Sequence, residues 1–191
     1  MTDEDEFCET MKLVERAIFT FLEDGWMPGK IYRYLADDHR RLDALLERAM
    51  SDPENVDAAA YAQFRSGLLK HIGMEEKVLL PAAQKLRGGE PLPVAPRVRL
   101  DHGALVSLLV PSPTVPVVAA IRAILKVHNP IEEDRGGMYD QCEELAGTEV
   151  DQILRRLLDF PRVKVLPHVD SAFVMEATRR ALARAGYDLE V

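Results

Sequence analysis

The chain has 191 residues, 47% of them apolar and 29% charged, with a formal net charge of −8. That length suits one domain with a sizeable core, and the acidic balance excludes nucleic acid and anionic membrane as main partners, because both call for clustered Lys and Arg. Cys8 and Cys142 form no CxxC pair, no apolar run approaches the roughly 18 residues of a membrane span, and the start Met1-Thr2-Asp3-Glu4-Asp5-Glu6 is too acidic for a secretory leader, so a reducing, cytoplasmic setting is expected.

Helical periodicity runs through almost every long segment, and no alternating strand pattern stands out. Residues 7–24 put Met11, Val14, Ile18, Phe21 and Leu22 on one face, until Gly25 and Pro28-Gly29 break the pattern. A second helix is predicted over about 30–50, with Ile31, Leu35, Leu42 and Leu46 inward, stopped by Ser51-Asp52-Pro53. A long third helix covers about 57–87 and ends at Gly88-Gly89; a fourth covers about 95–110, before Pro111, Pro113 and Pro116. The fifth runs over about 115–145, with irregularities at Pro130 and Gly136-Gly137, and two shorter helices follow Gly147, interrupted near Pro161 and Pro167. Short connections between the middle four favour an all-α, antiparallel up-and-down four-helix bundle. The whole chain, 1–191, then reads as one domain with its bundle at about 30–145, an added helix at 7–24 and a helical extension at 148–191.

Of the five histidines, His39, His71, His102 and His128 fall one per bundle helix, near mid-helix. Each has apolar residues at i±3, i±4 or i±7: Leu35 and Leu42 for His39, Phe64 and Leu68 for His71, Val98 and Leu105 for His102, Ile121 and Ile124 for His128. Four imidazoles then face one core, where they need partners. Glu75 and Glu132 follow His71 and His128 at i+4, so each helix aims a nitrogen and a carboxylate at one point. Any one of these histidines taken alone is an ordinary hydrogen-bonded core residue; the set points to two carboxylates bridging two metals, with the histidines capping them in pairs. Glu76 and Glu133 point off the apolar stripe, toward solvent or toward the outer side of the ligands. Asp43, at i+4 from His39, is left out of the ligand set, and His168, in Leu166-Pro167-His168-Val169, is read as structural or exposed.

Residues Asp38-His39-Arg40-Arg41-Leu42-Asp43, His71-Ile72-Gly73-Met74-Glu75-Glu76, Asp101-His102-Gly103-Ala104-Leu105 and His128-Asn129-Pro130-Ile131-Glu132-Glu133 resemble the hemerythrin-like (HHE cation-binding) family over about 30–145. The resemblance implies a four-helix bundle with a non-haem, carboxylate-bridged di-iron centre, its metal ligands being His39, His71, Glu75, His102, His128 and Glu132. It is to members with four histidines and two glutamates, which include iron-centre repair proteins and an iron- and oxygen-sensing domain of a ubiquitin-ligase subunit, and not to the five-histidine oxygen carriers. After Glu133 the family usually continues Leu-Phe/Tyr-Pro, as Leu79-Leu80-Pro81 does after the first pair, whereas this chain reads Asp134-Arg135-Gly136-Gly137-Met138-Tyr139.

Imidazole and carboxylate ligands suit iron, with zinc or manganese as substitutes, better than calcium or magnesium. The expected function is binding or sensing of O2, NO, peroxide or iron, without nucleic acid or membrane as partner. A low-turnover oxidoreductase, of peroxidase, nitric-oxide-handling or iron-centre-repair type, is the alternative, and a structural or zinc-filled bundle is a third. Around Asn129–Gly137 two readings stand open: the helix is kinked or ends early and opens a small-molecule path to the metals, or it frays after its last ligand with Arg135 in solvent. On either reading, Ala and Leu at positions 136 and 137 are expected to restore helix.

Overall fold

The computed structural model describes residues 26–188; the helix expected over 7–24, with Cys8, lies outside the described residues. Every element among the described residues is helical. The first, α1 (Lys30–Ala49), has no side-chain cap of its own. Its free N–H groups go instead to a carboxylate from far along the chain: Glu143 accepts from the amides of Lys30, Ile31 and Tyr32 at 2.9, 2.8 and 3.2 Å. A side chain at position 29 would collide with that carboxylate, and Gly29 stands there. Next comes α2 (Ala58–Met74), capped by Asp57, whose carboxylate accepts from Ala59 and Ala60.

At Glu75 the helix widens without stopping. A π turn spans Glu75–Leu79, in which the Leu80 amide reaches back five residues to the Glu75 carbonyl, and α3 (Leu80–Leu86) continues from it. Pro81 lacks the N–H that a continuing α-ladder would use, so the shift in register falls where that ladder is interrupted anyway. Gly88 and Gly89, both at positive φ, end the rod. Helix α4 (Ala95–Leu108) and helix α5 (Val115–Glu133), the latter capped by Thr114, complete the bundle. Pro130 lies inside α5 without ending it.

The single helix expected over 115–145 is divided. After Glu133 the chain turns through Asp134–Gly137 and restarts as α6 (Met138–Ala146), followed by α7 (Val150–Leu158) and α8 (Ala172–Arg184). The turn depends on its glycines. Gly136 sits at φ 77°, and a Cβ on Gly137 would lie 2.6, 2.8 and 2.9 Å from the carbonyl oxygens of Asp134, Glu132 and Ile131. The glycines are therefore the condition for reversing the chain, and larger residues there would not simply extend α5. The prolines at 161 and 167 fall in the non-helical stretch between α7 and α8, as expected.

Two apolar clusters fill the interior. One holds Leu42, Leu46, Phe64, Leu68, Leu105 and Ile121; the other holds Ile31, Leu35, Met74, Val78, Val98 and Met138. Along α1 the chain passes from the second cluster (Leu35) through His39 to the first (Leu42). Along α2 it passes from the first (Leu68) through His71 to the second (Met74). The same alternation holds for α4, with Val98, His102 and Leu105, and in reverse for α5, where Leu125 precedes His128. The four helices thus run up and down, and the four histidines form a polar layer between two apolar ends. No helix among the described residues is long and apolar enough to cross a membrane.

Gly137→Ala is expected to destabilise the protein by about 1–3 kcal/mol, because the new methyl group meets backbone that cannot rotate away. Gly103, in the middle of α4 with open space around it, is the contrast: Gly103→Ala should stabilise by about 0.5–1 kcal/mol. Urea unfolding of the two variants checks both signs.

Candidate metal centre

The fold brings His39, His71, Glu75, His102, His128 and Glu132 together, with Glu75 and Glu132 fully buried and the imidazoles nearly so. Two groups of donors close enough to hold a metal ion result: His39, His71, Glu75 and Glu132, and His102, His128 and Glu132. Each glutamate faces both ways. Glu75 turns Oε1 toward His71 Nε2 at 3.3 Å and Oε2 toward His102 Nε2 at 3.2 Å. Glu132 turns Oε2 toward His39 Nε2 at 3.5 Å and Oε1 toward His128 Nε2 at 3.1 Å and His102 Nε2 at 3.6 Å. Glu75 Oε2, His102 Nε2 and Glu132 Oε1 are buried and lack a hydrogen-bond partner. Orphaned polar atoms converging on one point cost several kcal/mol unless something binds there, and two imidazoles with two carboxylates in the first group, or with one in the second, fit a divalent transition metal.

Each imidazole turns its other nitrogen to a carboxylate. His39 Nδ1 meets Glu133, His71 Nδ1 meets Asp38 at 2.9 Å, and His102 Nδ1 meets Glu76 at 2.8 Å. His128 Nδ1 lies 3.5 Å from Asp101, itself fully buried and held by Arg97 and the Tyr187 hydroxyl. These outer carboxylates fix the ring orientation, aim Nε2 inward and raise its basicity. Glu76 and Glu133 thus take the outer position that their place off the apolar stripe allowed. Asp38 and Asp101 had no role assigned from sequence, although each directly precedes a histidine. The arrangement is doubled: Asp38-His39 with His71-x-x-x-Glu75-Glu76 matches Asp101-His102 with His128-x-x-x-Glu132-Glu133.

Asp43 is exposed and joins neither group, and His168 sits in the stretch before α8, its ring 6.1 Å from that of Tyr61. Tyr139, which sequence reasoning missed, has its hydroxyl at the heart of the centre, donating to Glu75 Oε1 at 2.7 Å. It lies seven residues after Glu132, on the same helical face had α5 continued. A continuous helix would have carried it about 10 Å farther along the axis; the Asp134–Gly137 turn folds it back. The break therefore fills the interior beside the buried histidines and glutamates, and of the two readings of this corner neither an opened path nor simple fraying describes it, though α5 does end early and Arg135 is exposed.

Protons compete for the same atoms. Burial alone would lower the imidazole pKa values, but the carboxylates prevail. His71 is held at about 10 by Glu75 and Asp38, His102 at about 12 by Glu132, Glu75 and Glu76, and His128 at about 9 by Glu132 and Asp101. Burial and the charge of Glu75 push Glu132 up, yet His128 and His102 bring it down to about 2, and Glu75 is likewise held well below its usual range, against burial, by His71 and His102. A raised imidazole contributes stability that is full below its ordinary 6.5 and is lost as pH climbs through about 9. A depressed glutamate contributes stability that is full above 4.5 and is lost as pH falls toward about 2. Chelator-treated protein should accordingly lose thermal stability as pH is raised from 6.5 through 9, and saturating Zn(II), taking the protons' place, should abolish that alkaline loss. Melting curves across this range check it; a Tm independent of pH with and without metal would contradict it.

A family model for the hemerythrin HHE cation binding domain matches residues 30–135. No curated protein and no solved structure matches the chain. The matched span opens at the first residue of α1 and closes just beyond Glu133, so it takes in all four histidines, both glutamates and the four outer carboxylates, and the chain belongs to the hemerythrin HHE cation-binding family.

Proposed function

We propose that this is a hemerythrin-like di-iron protein that binds or senses a small molecule, O2, NO or peroxide, or iron itself. His39, His71, Glu75, His102, His128 and Glu132 hold the metals, with Glu75 and Glu132 bridging. The observation that carries this reading is the two-way orientation of the glutamates, each offering one oxygen to either pair of imidazoles. Ferrous ions held there would supply an open coordination position and electron density for binding a diatomic ligand or peroxide.

The protein's own part is to position, exclude and tune. The two apolar clusters keep bulk water from the polar layer, which strengthens every charge interaction within it. The outer carboxylates keep Nε2 of each histidine directed at its metal. Two carboxylates among six ligands leave the centre less anionic than ferritin-like sites with four glutamates, so it supports highly oxidised iron less well, and ligand binding is favoured over attack on carbon. Burial of all six donors also favours a ligand of a few atoms over an organic substrate: the surface hollow lined by Asp43, Leu46, Glu47, Arg122, Lys126 and Pro130 includes none of them.

Anaerobic reconstitution with Fe(II) should load two irons per chain, measured by metal analysis. Glu75→Ala and Glu132→Ala should each lower occupancy of both, since each carboxylate serves both positions, whereas His168→Ala should leave iron content unchanged. One iron or none in the wild type would sink the bridged assignment. Turnover assays with peroxide and NO on the loaded protein separate binding from a slow oxidoreductase.

A further inference from the structure

The doubled arrangement of aspartates, histidines and glutamates is broken at one residue. The Tyr139 hydroxyl oxygen lies 2.7 Å from Glu75 Oε1, 3.1 Å from Glu132 Oε2, 3.1 Å from His71 Nε2 and 3.2 Å from His39 Nε2. These are the four inward donor atoms of one half of the centre. A phenol has one proton to donate, so one hydroxyl cannot satisfy four such neighbours by hydrogen bonds alone. Atoms bound about 2.1 Å from one metal at adjacent corners of an octahedron stand about 3 Å apart, and 2.7 to 3.2 Å brackets that spacing. The other half has no counterpart: seven residues after Glu75 stands Ala82, and there His102 Nε2, Glu75 Oε2 and Glu132 Oε1 are left without a partner.

Local structure explains why only one half has the tyrosine. After Glu75 the chain continues as a π turn and α3, carrying the next residues along the axis. After Glu132 the Asp134–Gly137 turn returns the chain, and α6 is then locked to the start of α1 by the Glu143 carboxylate, four residues past Tyr139. Tyr139 is fully buried and its ring packs edge-on against Tyr32 at 5.9 Å. The phenol is thus held in place by packing that owes nothing to a metal.

We propose that Tyr139 is a metal ligand: its oxygen is the fifth protein donor to the metal held by His39 and His71, so that the two positions are unequal and exogenous ligands bind at the metal held by His102 and His128, whose protein shell is one donor short. This rests on the two-metal reading above. The oxygen–hydrogen bond is exchanged for an oxygen–metal bond, with the proton released to solvent, no change in oxidation state and no further reactant. A phenolate oxygen is an established type of iron ligand.

The test uses the full chain, loaded with iron and oxidised in air. Wild-type protein should show a visible phenolate-to-Fe(III) charge-transfer band and, on excitation into it, resonance-enhanced tyrosine ring vibrations that shift when the protein is grown on ring-deuterated tyrosine. Tyr139→Phe should retain two irons and lose band and vibrations together; Tyr34→Phe, whose hydroxyl faces Met74, should keep both. Added azide should change the Mössbauer parameters of one iron while the tyrosine vibrations persist. Two irons per chain without a phenolate signature in the wild type would overturn the proposal and leave the two-metal reading intact, whether or not Tyr139→Phe folds. Fewer than two irons would overturn the reading beneath it. A signature that survives Tyr139→Phe, or that azide abolishes, would also overturn the proposal.

Discussion

The fold depends on keeping a layer of four imidazoles and two carboxylates between two apolar clusters. Removing such groups from water costs several kcal/mol per ion, so the layer persists only if every inward and outward polar atom finds a partner. On the outward side Glu133, Asp38 and Glu76 hydrogen-bond His39, His71 and His102, while His128 Nδ1 has the Asp101 carboxylate 3.5 Å away, within ion-pair reach but without a hydrogen bond. These four carboxylates are half-buried or buried, close enough to orient the rings. The inward side is where protons or metals must enter, and the direction of the pKa shifts follows from that crowding of opposite charge.

The same requirement accounts for the cross-linking of the helices. Asp38 on α1 serves a histidine on α2, Glu76 beyond α2 serves one on α4, Asp101 on α4 serves one on α5, and Glu133 at the end of α5 serves one on α1. The four contacts close a ring around the bundle, each joining helices that are neighbours in it. Loss of one outer carboxylate frees an imidazole to rotate and also removes a tie between two helices.

Much of this was legible in the sequence, for reasons tied to helical geometry. The apolar stripes fixed which way His39, His71, His102 and His128 face, and the i+4 spacing put Glu75 and Glu132 beside them. The outer carboxylates were harder to read. Asp38 and Asp101 sit next to histidines in sequence, but adjacent residues on a helix diverge, and each aspartate serves a histidine on another helix. That pairing exists only after the helices pack. Tyr139 was hidden by a different cause: Gly136 and Gly137 read as a defect in a helix, whereas the positive φ of the one and the lack of a Cβ on the other permit the reversal that brings the tyrosine inward.

Tyr187 reaches Asp101 from almost the last of the described residues. Asp101 belongs to α4, but the hydroxyl and guanidinium that hold it come from Tyr187 and Arg97, and Arg97 is itself anchored on the Ala185 carbonyl just after α8. A chain emerging from the ribosome will therefore expose all six donors well before it exposes the group that steadies the carboxylate beneath His128. Tyr139 arrives soon after Glu132, and Tyr187 follows almost fifty residues later. A truncation ahead of Tyr187 would thus remove the support beneath His128 while leaving all six donors in the chain.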